Sequence, residues 1–325
     1  MTLSKSPFIS VIIATFNRTK YLEICLKSVL ANSYDRYEVI IVDQSKDNRT
    51  KELIDSKFSH YEKIRYLHTE TIGLSHARNL GWKEAKGEII AFVDDDAVPV
   101  RGWLEAYANA FSEIDPTPAI VGGKIEAIWE IPKPKWYPKE REFLLALYDI
   151  GDEIKPFSEF ELPIGANFAI LRKIIKEFRG FDNRVGFNQS RKKSMIAGED
   201  TLIGLRIKDA GHSIYYQPGA KVYHHISANK LSKIYFLRRH FWEGFTQIVL
   251  EDCRNTLNIH KLFKILIWHI KNIWKNCSYT LNCVFVKKKD GLSRIMLHLS
   301  LIMLSIGICV KTSQLILYKG FKTLH

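Results

Sequence analysis

The sequence predicts an α/β protein with a doubly wound, mostly parallel sheet and flanking helices, followed by a basic and apolar helical region. Short apolar runs alternate with helical periodicity through the first half of the 325 residues, which is the pattern of a parallel sheet. The run 89–93 reads as a strand buried on both faces, and three carboxylates, Asp94, Asp95 and Asp96, follow it directly. Beyond residue 226, apolar residues recur at helical spacing instead.

The elements of the first half follow one another at regular intervals. Residues 9–14 form an apolar strand, and the next helix carries apolar residues at i, i+3, i+4 and i+7 from Leu22 to Leu30, with Thr19 as its expected cap. Two further strands are predicted at 39–42 and 64–67, and helices near 50–58, 74–85, 172–178 and 200–210. Residues 123–163 are expected to be irregular, and a strand pair, 214–216 and 221–224, to flank a turn at Gln217-Pro218-Gly219.

The excess of positive charge is confined to the last third of the chain. Residues 221–325 hold 17 Lys and Arg against 4 Asp and Glu, whereas the first 220 residues hold 31 of each sign. Such an asymmetry indicates an acidic partner, which is nucleic acid, anionic lipid or an acidic substrate. Because the basic residues lie among apolar, Trp-containing helices, they suit lipid headgroups better than a duplex. We therefore expect an anionic membrane surface and no nucleic acid as partner.

The cysteines and the amino terminus indicate a cytosolic compartment. The five cysteines show neither a CxxC pair nor the spacing of metal ligands, and Cys25 falls on the apolar face of a helix. Reduced thiols are the simplest expectation. Residues 1–7 are polar and run directly into the first strand, so no secretory signal peptide is predicted.

Two segments near the carboxyl end have the composition of membrane-associated helices. Residues 259–275 combine apolar side chains with four lysines as a basic amphipathic helix does, and 287–289 are a basic run. Residues 295–310 carry no formal charge, but a spanning helix needs about 20 mostly apolar residues. Because His298 and Lys311 lie in or beside this stretch, an in-plane or tightly packed helix is as well supported as a single span near 295–318.

The three adjacent aspartates give the strongest chemical signal. Two carboxylates ~4 Å apart repel by about 4 kcal/mol at an effective dielectric of ~20, and a bound cation offsets that repulsion. Mg²⁺ and Mn²⁺ take oxygen ligands and commonly share them with substrate phosphates. The alternative is a solvated Asp-rich turn that ends at Pro99. Polar residues at the ends of two other strands, 15–18 and Asp43, favour one ligand lying across all three strand ends.

Further candidates for such a site follow along the chain. Asp43 is placed to accept hydrogen bonds from a ribose or a base, and Arg78, supported by Asn79, to reach a phosphate or the base. A helix cap and a surface charge are the plain alternatives. Glu199 and Asp200 begin a predicted helix, where the macrodipole favours acids, but one of them is also a candidate general base.

The predicted strand 221–224 ends at the pair His224-His225. Successive strand residues point to opposite faces, so only one of these histidines can face the metal. A single histidine in a strand is more often structural. Neutral imidazole is nevertheless a good ligand for a Mn²⁺-type site that also holds carboxylates.

Six segments together resemble family 2 glycosyltransferases. Each motif is weak alone, but their order and spacing match over about residues 8–226, two-thirds of the chain. The segments are 10–18 (SVIIATFNR), 41–45 (IVDQS), 73–79 (GLSHARN), the Asp94-Asp95-Asp96 strand end, 163–168 (PIGANF) and 198–200 (GED).

The resemblance implies a GT-A fold and an inverting transfer of a sugar from a nucleotide-diphosphate sugar. It assigns Asp94 and Asp96 to a Mn²⁺ or Mg²⁺ ion at the diphosphate, with His224 as the better third ligand and His225 as the alternative. It makes Asp200 the base, with Glu199 beside it. The candidate donor-binding residues are Thr15, Asn17, Arg18, Asp43, Arg78, Asn79 and Asp95.

The acceptor side is less well specified. Gly165 and Asn167 lie in the Gly/Asn segment of the resemblance, between the metal acids and the base. Trp242, in a junction that also holds Arg238, Arg239 and Glu243, is a third candidate. The alternative for this junction is a helix that only packs under the catalytic domain.

These observations predict a catalytic domain at 1–226 and a helical, membrane-associated region at 227–325. The nucleotide-sugar half is expected at about 1–122 and the acceptor half at about 123–226. The expected activity is transfer from a nucleotide sugar, with a UDP-sugar favoured, to a hydroxyl of a glycan or lipid-linked acceptor in cell-surface polysaccharide or glycoconjugate synthesis. The expected location is the cytoplasmic face of a membrane, as a peripheral or monotopic protein.

Two other functions use similar parts. A sugar nucleotidyltransferase normally begins with a Gly-rich, basic loop after its first strand, and residues 14–17 (ATFN) contain no glycine. A catalytically inert module that binds a nucleotide sugar or a membrane would retain the fold. The presence of both metal acids and the acid pair argues against it.

Overall fold

The chain forms two compact units in a computed structural model that describes residues 6–159, 161–188, 190, 194–285 and 291–322. The first, here called the sheet unit, comprises Met1–Ile128, Ala146–Ser190 and Glu199–His225. The second, the helical unit, comprises Trp129–Leu145, Arg191–Gly198 and Ile226–His325.

The first half of the sheet unit is built from parallel strands joined by helices. Its strands are apolar runs buried on both faces, except for Ile64–His68, which is half-buried at the edge of the sheet. The strands are β1 (Ile9–Thr15), β2 (Tyr37–Asp43), β3 (Ile64–His68) and β4 (Ile89–Val93), and the helices are α1 (Thr19–Leu30), α2 (Arg49–Lys57) and α3 (Leu74–Glu84).

The later strands extend the same sheet with antiparallel pairs. The strands are β5 (Ala97–Pro99), β6 (Ile120–Trp129), β7 (Lys155–Pro156), β8 (Asn167–Leu171) and β9 (Ile214–Ile226), and the helices are α4 (Trp103–Glu113), α5 (Arg172–Glu177) and α6 (Glu199–Asp209). Among the described residues the strand order is β3-β2-β1-β4-β8-β6-β9-β5, and β7 pairs with β9. The predicted α/β class, with helices flanking a central sheet, is confirmed.

The register of the strands brings the polar strand ends together. Thr15 lies opposite Asp43 in the parallel pair of β1 and β2, and β4 lies on the other side of β1. The three aspartates that follow β4 therefore emerge at the same edge. On β9, His224 lies opposite Ala97, one residue after Asp96.

The helical unit contains three long helices, α7 (Lys233–Cys253), α8 (Ile259–Phe285) and α9 (Gly291–Lys322). Ile248, Leu257, Leu262, Ile308 and Leu315 form an apolar cluster among them. The stretch Gly291–Lys319 has the length and composition of a helix that could cross a membrane. The basic run at 287–289 lies outside the described residues.

Several local predictions were wrong or incomplete: the strand β8 was not predicted, and β6 extends into the stretch from residue 123 that was expected to be irregular. Thr19 is the first residue of α1 rather than its cap, and Arg18 precedes it without a capping hydrogen bond from its side chain. The expected turn at 217–219 lies inside the continuous strand β9. Pro218 is accommodated there because β7 pairs with residues 215–216 and β5 with 222–224, so that its missing N–H falls between these two ladders. The helix α4 had no counterpart in the prediction.

Candidate active site

The three aspartates at the end of β4 are held by different partners. Asp95 accepts a hydrogen bond from the Thr15 hydroxyl at 2.7 Å, and Arg18 Nη1 lies 3.1 Å from Asp95 Oδ1 and 2.9 Å from Asp96 Oδ2. Asp95 and Asp96 are buried, whereas Asp94 is half-buried. Because Thr15 and Arg18 both bind Asp95, the middle acid is committed to protein contacts.

Burial and neighbouring charges shift the pKa values of Asp95 and of Arg18. Desolvation and the charge of Asp96 raise the pKa of Asp95 to about 7, although Arg18 and Thr15 oppose the shift. The acids beside Arg18 also raise the pKa of its guanidinium, although its burial opposes the shift, so this side chain stays charged. The group therefore has a strong affinity for positive charge.

Asp94, Asp96 and His224 form a candidate metal site. One ligand atom from each lies within 4.8 Å of the others, and His224 Nε2 is 3.1 Å from Asp96 Oδ1. Two carboxylates and an imidazole are a donor set that suits Mn²⁺ or Mg²⁺, so these residues fit the ion that the resemblance implies. The ring of His225 instead lies 5.3 Å from that of Tyr21, at an angle of 56° to it. The histidine that faces the aspartates is thus His224.

Arg78 connects this acidic group to the acid pair of α6. Its guanidinium is buried and lies 3.0 Å from Asp94 Oδ1, 2.6 Å from Glu199 Oε1 and 2.8 Å from the Gly165 carbonyl. The rings of Phe92, Phe168 and Phe181 surround it at 5.7, 5.9 and 5.8 Å. These contacts direct Arg78 into the protein. The sequence suggested instead that its guanidinium would reach a phosphate or a base.

Glu199 and Asp200 lie side by side but in different environments. Glu199 is buried, and its Oε2 has no hydrogen-bond partner within the described ranges. Burial and the charge of Asp200 raise the pKa of Glu199 to about 7, with Arg78 opposing. Asp200 is only half-buried and accepts hydrogen bonds from the backbone N–H groups of Gly165, at 2.5 Å, and Thr201, at 2.7 Å.

Gly165 has a backbone role at the centre of this arrangement. Its N–H donates to Asp200 and its carbonyl accepts from Arg78. A Cβ at this position would lie 2.7 Å from Asp200 Oδ2 and 3.0 Å from Arg78 Nη1, so a side chain would push both groups away. The motif segment identified Gly165 from the sequence, but the reason for a glycine there is visible only in the structure.

Asp43 lies at the neighbouring strand end. It is fully buried and accepts hydrogen bonds from the Tyr66 hydroxyl and the Ser45 N–H, both at 2.9 Å. The Ser45 hydroxyl in turn accepts from the N–H of Asn17, an exposed residue with a positive φ of 56°. Sequence reasoning missed Tyr66. The signal was its place on β3, two residues before His68, which is opposite Asp43 in the register.

Two predicted site residues are occupied elsewhere. Asn167 is fully buried: its Oδ1 accepts from Trp103 Nε1 and the Tyr107 hydroxyl at 2.8 and 2.7 Å, and its Nδ2 donates to the Lys124 and Ala220 carbonyls. The amide thus uses its full hydrogen-bonding capacity to join α4, β6, β8 and β9. Asn167 lies opposite Val93, next to the aspartates, but these contacts engage its side chain within the core, and its acceptor-side role stays a prediction.

Asn79 is used in a similar way. Its Oδ1 accepts from the Phe181 N–H at 2.8 Å and from Trp82 Nε1 at 3.0 Å, and its Nδ2 donates to the Phe181 carbonyl at 2.7 Å. These contacts join α3 to the segment after α5. Trp242 belongs to the helical unit, where its ring lies 5.4 Å from that of Phe241 and 5.1 Å from that of Phe245. Its assignment to the acceptor side stays a prediction.

Comparisons with known proteins agree on one family and one fold. The family model described as Glycosyl transferase family 2 matches residues 10–179. A glucosyl-dolichyl phosphate glucuronosyltransferase of Haloferax volcanii is 24% identical over 246 residues, which is 75% of this chain and 77% of that protein. Glycosyltransferase AglE of the same organism is 34% identical over 221 residues, 66% of this chain and 65% of its own length, slightly under two thirds.

Solved structures support the fold. The mannosyltransferase PcManGT of Pyrobaculum calidifontis, solved with GDP-Man and Mn²⁺, has a TM-score of 0.53 and 17% sequence identity, covering 98% of this chain and 81% of that one. GalNAc-T7, solved with UDP, GalNAc and Mn²⁺, has a TM-score of 0.53 and 18% identity, with coverage of 74% and 50%. At these identities the likeness establishes a shared architecture.

Proposed function

The chain belongs to glycosyl transferase family 2, and on that premise we propose that it moves a sugar from a nucleotide-diphosphate sugar to a hydroxyl with inversion at the anomeric carbon. The acceptor is a glycan or a lipid-linked sugar in cell-surface polysaccharide or glycoconjugate synthesis. The relative named as a glucosyl-dolichyl phosphate glucuronosyltransferase supports a lipid-linked acceptor. A UDP-sugar is the favoured donor on the sequence resemblance.

One observation carries this proposal. A single buried guanidinium, that of Arg78, lies within 3.0 Å of both Asp94 and Glu199. The acids of the candidate metal site and the acid pair at the start of α6 therefore belong to one site. A transferase needs this arrangement, because the leaving group and the attacking hydroxyl must be bound next to each other.

Asp94, Asp96 and His224 would hold the metal, and the residues around them would hold the donor. A bound Mn²⁺ or Mg²⁺ supplies the positive charge that stabilises a leaving diphosphate. Asp43, oriented by Tyr66, accepts hydrogen bonds from the nucleoside. Thr15, Asn17, Arg18 and Asp95 complete the donor side. Because Asp95 already binds Thr15 and Arg18, its part is to keep these side chains in position at the sugar or ribose.

Asp200 acts as the general base. The acceptor oxygen attacks the anomeric carbon from the face opposite the diphosphate, its proton passes to the Asp200 carboxylate, and the diphosphate leaves with the electron pair of the broken bond. The N–H groups of Gly165 and Thr201 orient this carboxylate. Glu199, fixed by Arg78, sets the position of the helix end that carries the base. No covalent intermediate is needed.

We also propose that the helical region at 227–325 holds the enzyme at the cytoplasmic face of an anionic membrane, where a lipid-linked acceptor lies. The charge supports this, since residues 221–325 carry 17 basic and 4 acidic side chains. The long apolar helix α9 supports it as well. A full-length chain that stays soluble at low salt and does not pellet with anionic liposomes would overturn the proposal.

Asp200→Asn tests the base. General-base catalysis contributes roughly 10²–10⁴-fold, so we expect this variant to lose transfer by that factor while nucleotide and Mn²⁺ still bind. Asp96→Asn is the matched control at the other acid group, and it should weaken Mn²⁺-dependent nucleotide binding itself. Near-normal turnover of Asp200→Asn excludes Asp200 as the base.

A further inference from the structure

We propose that α8 and α9 lie together in the plane of an anionic membrane, as an interfacial hairpin, and that α9 does not cross the bilayer. This inference rests on the membrane location proposed above. It goes further by identifying which surface meets the lipid and by deciding between an in-plane and a spanning arrangement.

The two helices run antiparallel and side by side. His269 Nδ1 lies 3.2 Å from the Ser305 hydroxyl, and His298 Nδ1 lies 3.1 Å from Asn276 Oδ1. Seven residues forward along α8, from 269 to 276, thus correspond to seven residues backward along α9, from 305 to 298. A constant register of this kind requires the helices to lie alongside each other. Any orientation of α9 in a membrane therefore applies to α8 as well.

An apolar stripe on α8 remains exposed after this packing. Its members are separated by four, three, four and seven residues, which places them on one side of a helix. Their exposed fractions lie between 44% and 75%, with Trp274 the highest. The sequence grouped Ile270 and Trp274 with Leu262, but the structure buries Leu262 and leaves the other two outside. The stripe consists of Phe263, Ile267, Ile270, Trp274 and Leu281.

A row of lysines follows the stripe along the same helix. Lys264, Lys271 and Lys275 are exposed, and each comes one residue after a member of the stripe, about 100° around the helix axis. Residues 259–285 contain no Asp or Glu. An exposed apolar stripe bordered by lysines is the surface of a helix that lies at a membrane interface. The uniform positive charge attracts anionic lipid headgroups and would repel a second copy of the same surface.

The lysine row conflicts with a spanning α9. Lys271 is level with the middle of α9, because its position falls between the two cross-helix pairs. If α9 crossed the bilayer, α8 would carry its lysines into the hydrocarbon, where charged side chains are strongly unfavourable. An in-plane hairpin leaves the lysines at the headgroups.

α9 also packs against α7. A Cβ on Gly244 would lie 1.9 Å from the Leu304 carbonyl oxygen, so the backbones of α7 and α9 are in direct contact there. One residue before Gly244, α7 carries Glu243, which pairs with Arg239 at 3.1 Å. The middle of α9 therefore contacts two helices that carry charged side chains. Its length and composition alone would have allowed a span.

Cysteine accessibility at the two ends of α9 tests the arrangement. Arg294 and Gln314 are exposed and 20 residues apart, about 30 Å along a helix, which is the thickness of the hydrocarbon core. Arg294→Cys and Gln314→Cys are each made in the full chain, and inverted membrane vesicles from expressing cells receive a membrane-impermeant thiol reagent before and after lysis. Labelling of the unsubstituted chain gives the background from the five native cysteines.

We expect both cysteines to label before lysis. If one labels before lysis and the other only afterwards, α9 spans the membrane and the proposal is wrong. If both label only after lysis, the hairpin still lies on one side, and the cytoplasmic location is the part that fails. The test thus separates the in-plane inference from the proposed location.

A matched pair of isoleucines tests which surface meets the lipid. Ile267 on the stripe is 54% exposed, and Ile234 on α7 is 73% exposed. We expect Ile267→Ser to lower partitioning of the full chain onto anionic vesicles roughly fivefold to tenfold, and Ile234→Ser to leave it within about twofold. Equal loss in both variants, or none in either, contradicts the stripe. Donor hydrolysis should be unchanged in both.

Discussion

The sheet unit has two acidic groups, the three aspartates after β4 and the pair Glu199-Asp200 at the start of α6, and within each group the neighbouring carboxylates are held differently. At the end of β4, Asp95 is buried and contacts Thr15 and Arg18, while Asp94 is half-buried and its side chain contacts Arg78. At the start of α6, Glu199 is buried against Arg78 and Asp200 is half-buried with backbone donors. In each group one carboxylate, that of Asp95 or Glu199, is buried. Its neighbour, Asp94 or Asp200, is partly exposed to solvent.

This difference indicates how adjacent acids divide their work. A carboxylate paired with a buried arginine is fixed in place, because removing either partner would leave an uncompensated charge. The neighbouring carboxylate is positioned by the fixed one and remains accessible to a ligand. On this account Asp94 and Asp200 are the accessible acids, Asp96 would reach a metal from a buried position, and Arg78 is the connection between the two groups.

Of the substitutions proposed here, Arg78→Gln should have the largest effect on stability and transfer, because it removes the connection between the two acidic groups. Loss of the guanidinium leaves Glu199 buried without its cation, which costs about 3–5 kcal/mol of unfolding free energy. Because both acid groups then lose their common partner, we expect transfer to fall roughly 100-fold or more even in the folded fraction. Chemical denaturation and steady-state kinetics measure the two effects.

Arg78→Lys is the control for charge alone. A single ammonium group cannot bond Asp94, Glu199 and the Gly165 carbonyl together, so it should restore part of the stability and little of the transfer. If Arg78 instead bound the donor, as the sequence suggested, Arg78→Gln would raise KM for the donor and leave the unfolding free energy unchanged. That result would contradict the connection.

Asn167→Ala should reduce stability strongly without touching the site. The substitution leaves the Trp103 and Tyr107 donors and two backbone carbonyls without their partner inside the core. We expect a loss of about 3 kcal/mol in the free energy of unfolding, measured by denaturant titration. Turnover per folded molecule should stay normal.

Asn79→Ala is a matched comparison for Asn167→Ala, because Asn79 is also engaged within the protein but is half-buried rather than fully buried. Its stability loss should be smaller. A raised acceptor KM in Asn167→Ala, at unchanged stability, would instead support the predicted acceptor-side role of this residue.

Glu199→Gln should remove part of the pH dependence of stability. The pKa of Glu199 is raised to about 7, so the folded chain binds its proton more tightly than the unfolded chain does. The free energy of unfolding therefore falls as pH rises from about 4.5 to about 7, by on the order of 3 kcal/mol. Asp95, with a pKa also near 7, contributes a fall of the same sign that the variant keeps.

Denaturation at a series of pH values, without metal, measures this difference between Glu199→Gln and the unsubstituted chain. The variant should lose less stability across the window from pH 4.5 to 7. Superimposable pH profiles would mean that Glu199 titrates normally, and that burial does not distinguish it from Asp200.

Tyr66→Phe should have the smallest effect. It removes the hydroxyl that donates to Asp43 and leaves the ring in place. The loss of one hydrogen bond to an orienting carboxylate is worth about 1 kcal/mol, so we expect KM for the donor to rise roughly fivefold with kcat unchanged. An unchanged donor KM, or a fall in kcat alone, would argue against a role of Asp43 in binding the nucleoside.

The sequence predicted the parts of the fold that depend on local pattern. The strands β1, β2 and β4 are short apolar runs that end in polar residues, and the edge at which these ends meet follows from their parallel order. The contact of Arg78 with Glu199 joins residues 121 positions apart, and no local pattern encodes it. For the same reason the motif containing Asn167 was informative about the family but not about what its side chain does.

Helical periodicity had a comparable limit in α8. The apolar arc of residues 259–275 is too wide for a single neighbour, and periodicity does not say which part of the arc faces it. The structure packs Leu262 into the cluster with α9 and leaves Ile270 and Trp274 exposed. The turn expected at Pro218 failed because a proline is tolerated where neighbouring strands leave a gap in their pairing.

A screen of nucleotide sugars with Mn²⁺ tests the central claim most directly. The full chain is incubated with each donor, and both thermal stabilisation and release of the nucleoside diphosphate are measured, with Asp96→Asn in parallel. The account predicts that one nucleotide class both stabilises the chain and is hydrolysed slowly, only with Mn²⁺ or Mg²⁺ present, and that Asp96→Asn loses both signals. Metal-dependent stabilisation without hydrolysis of any donor would describe a binding module, and metal-independent binding that Asp96→Asn leaves intact would contradict the candidate metal site.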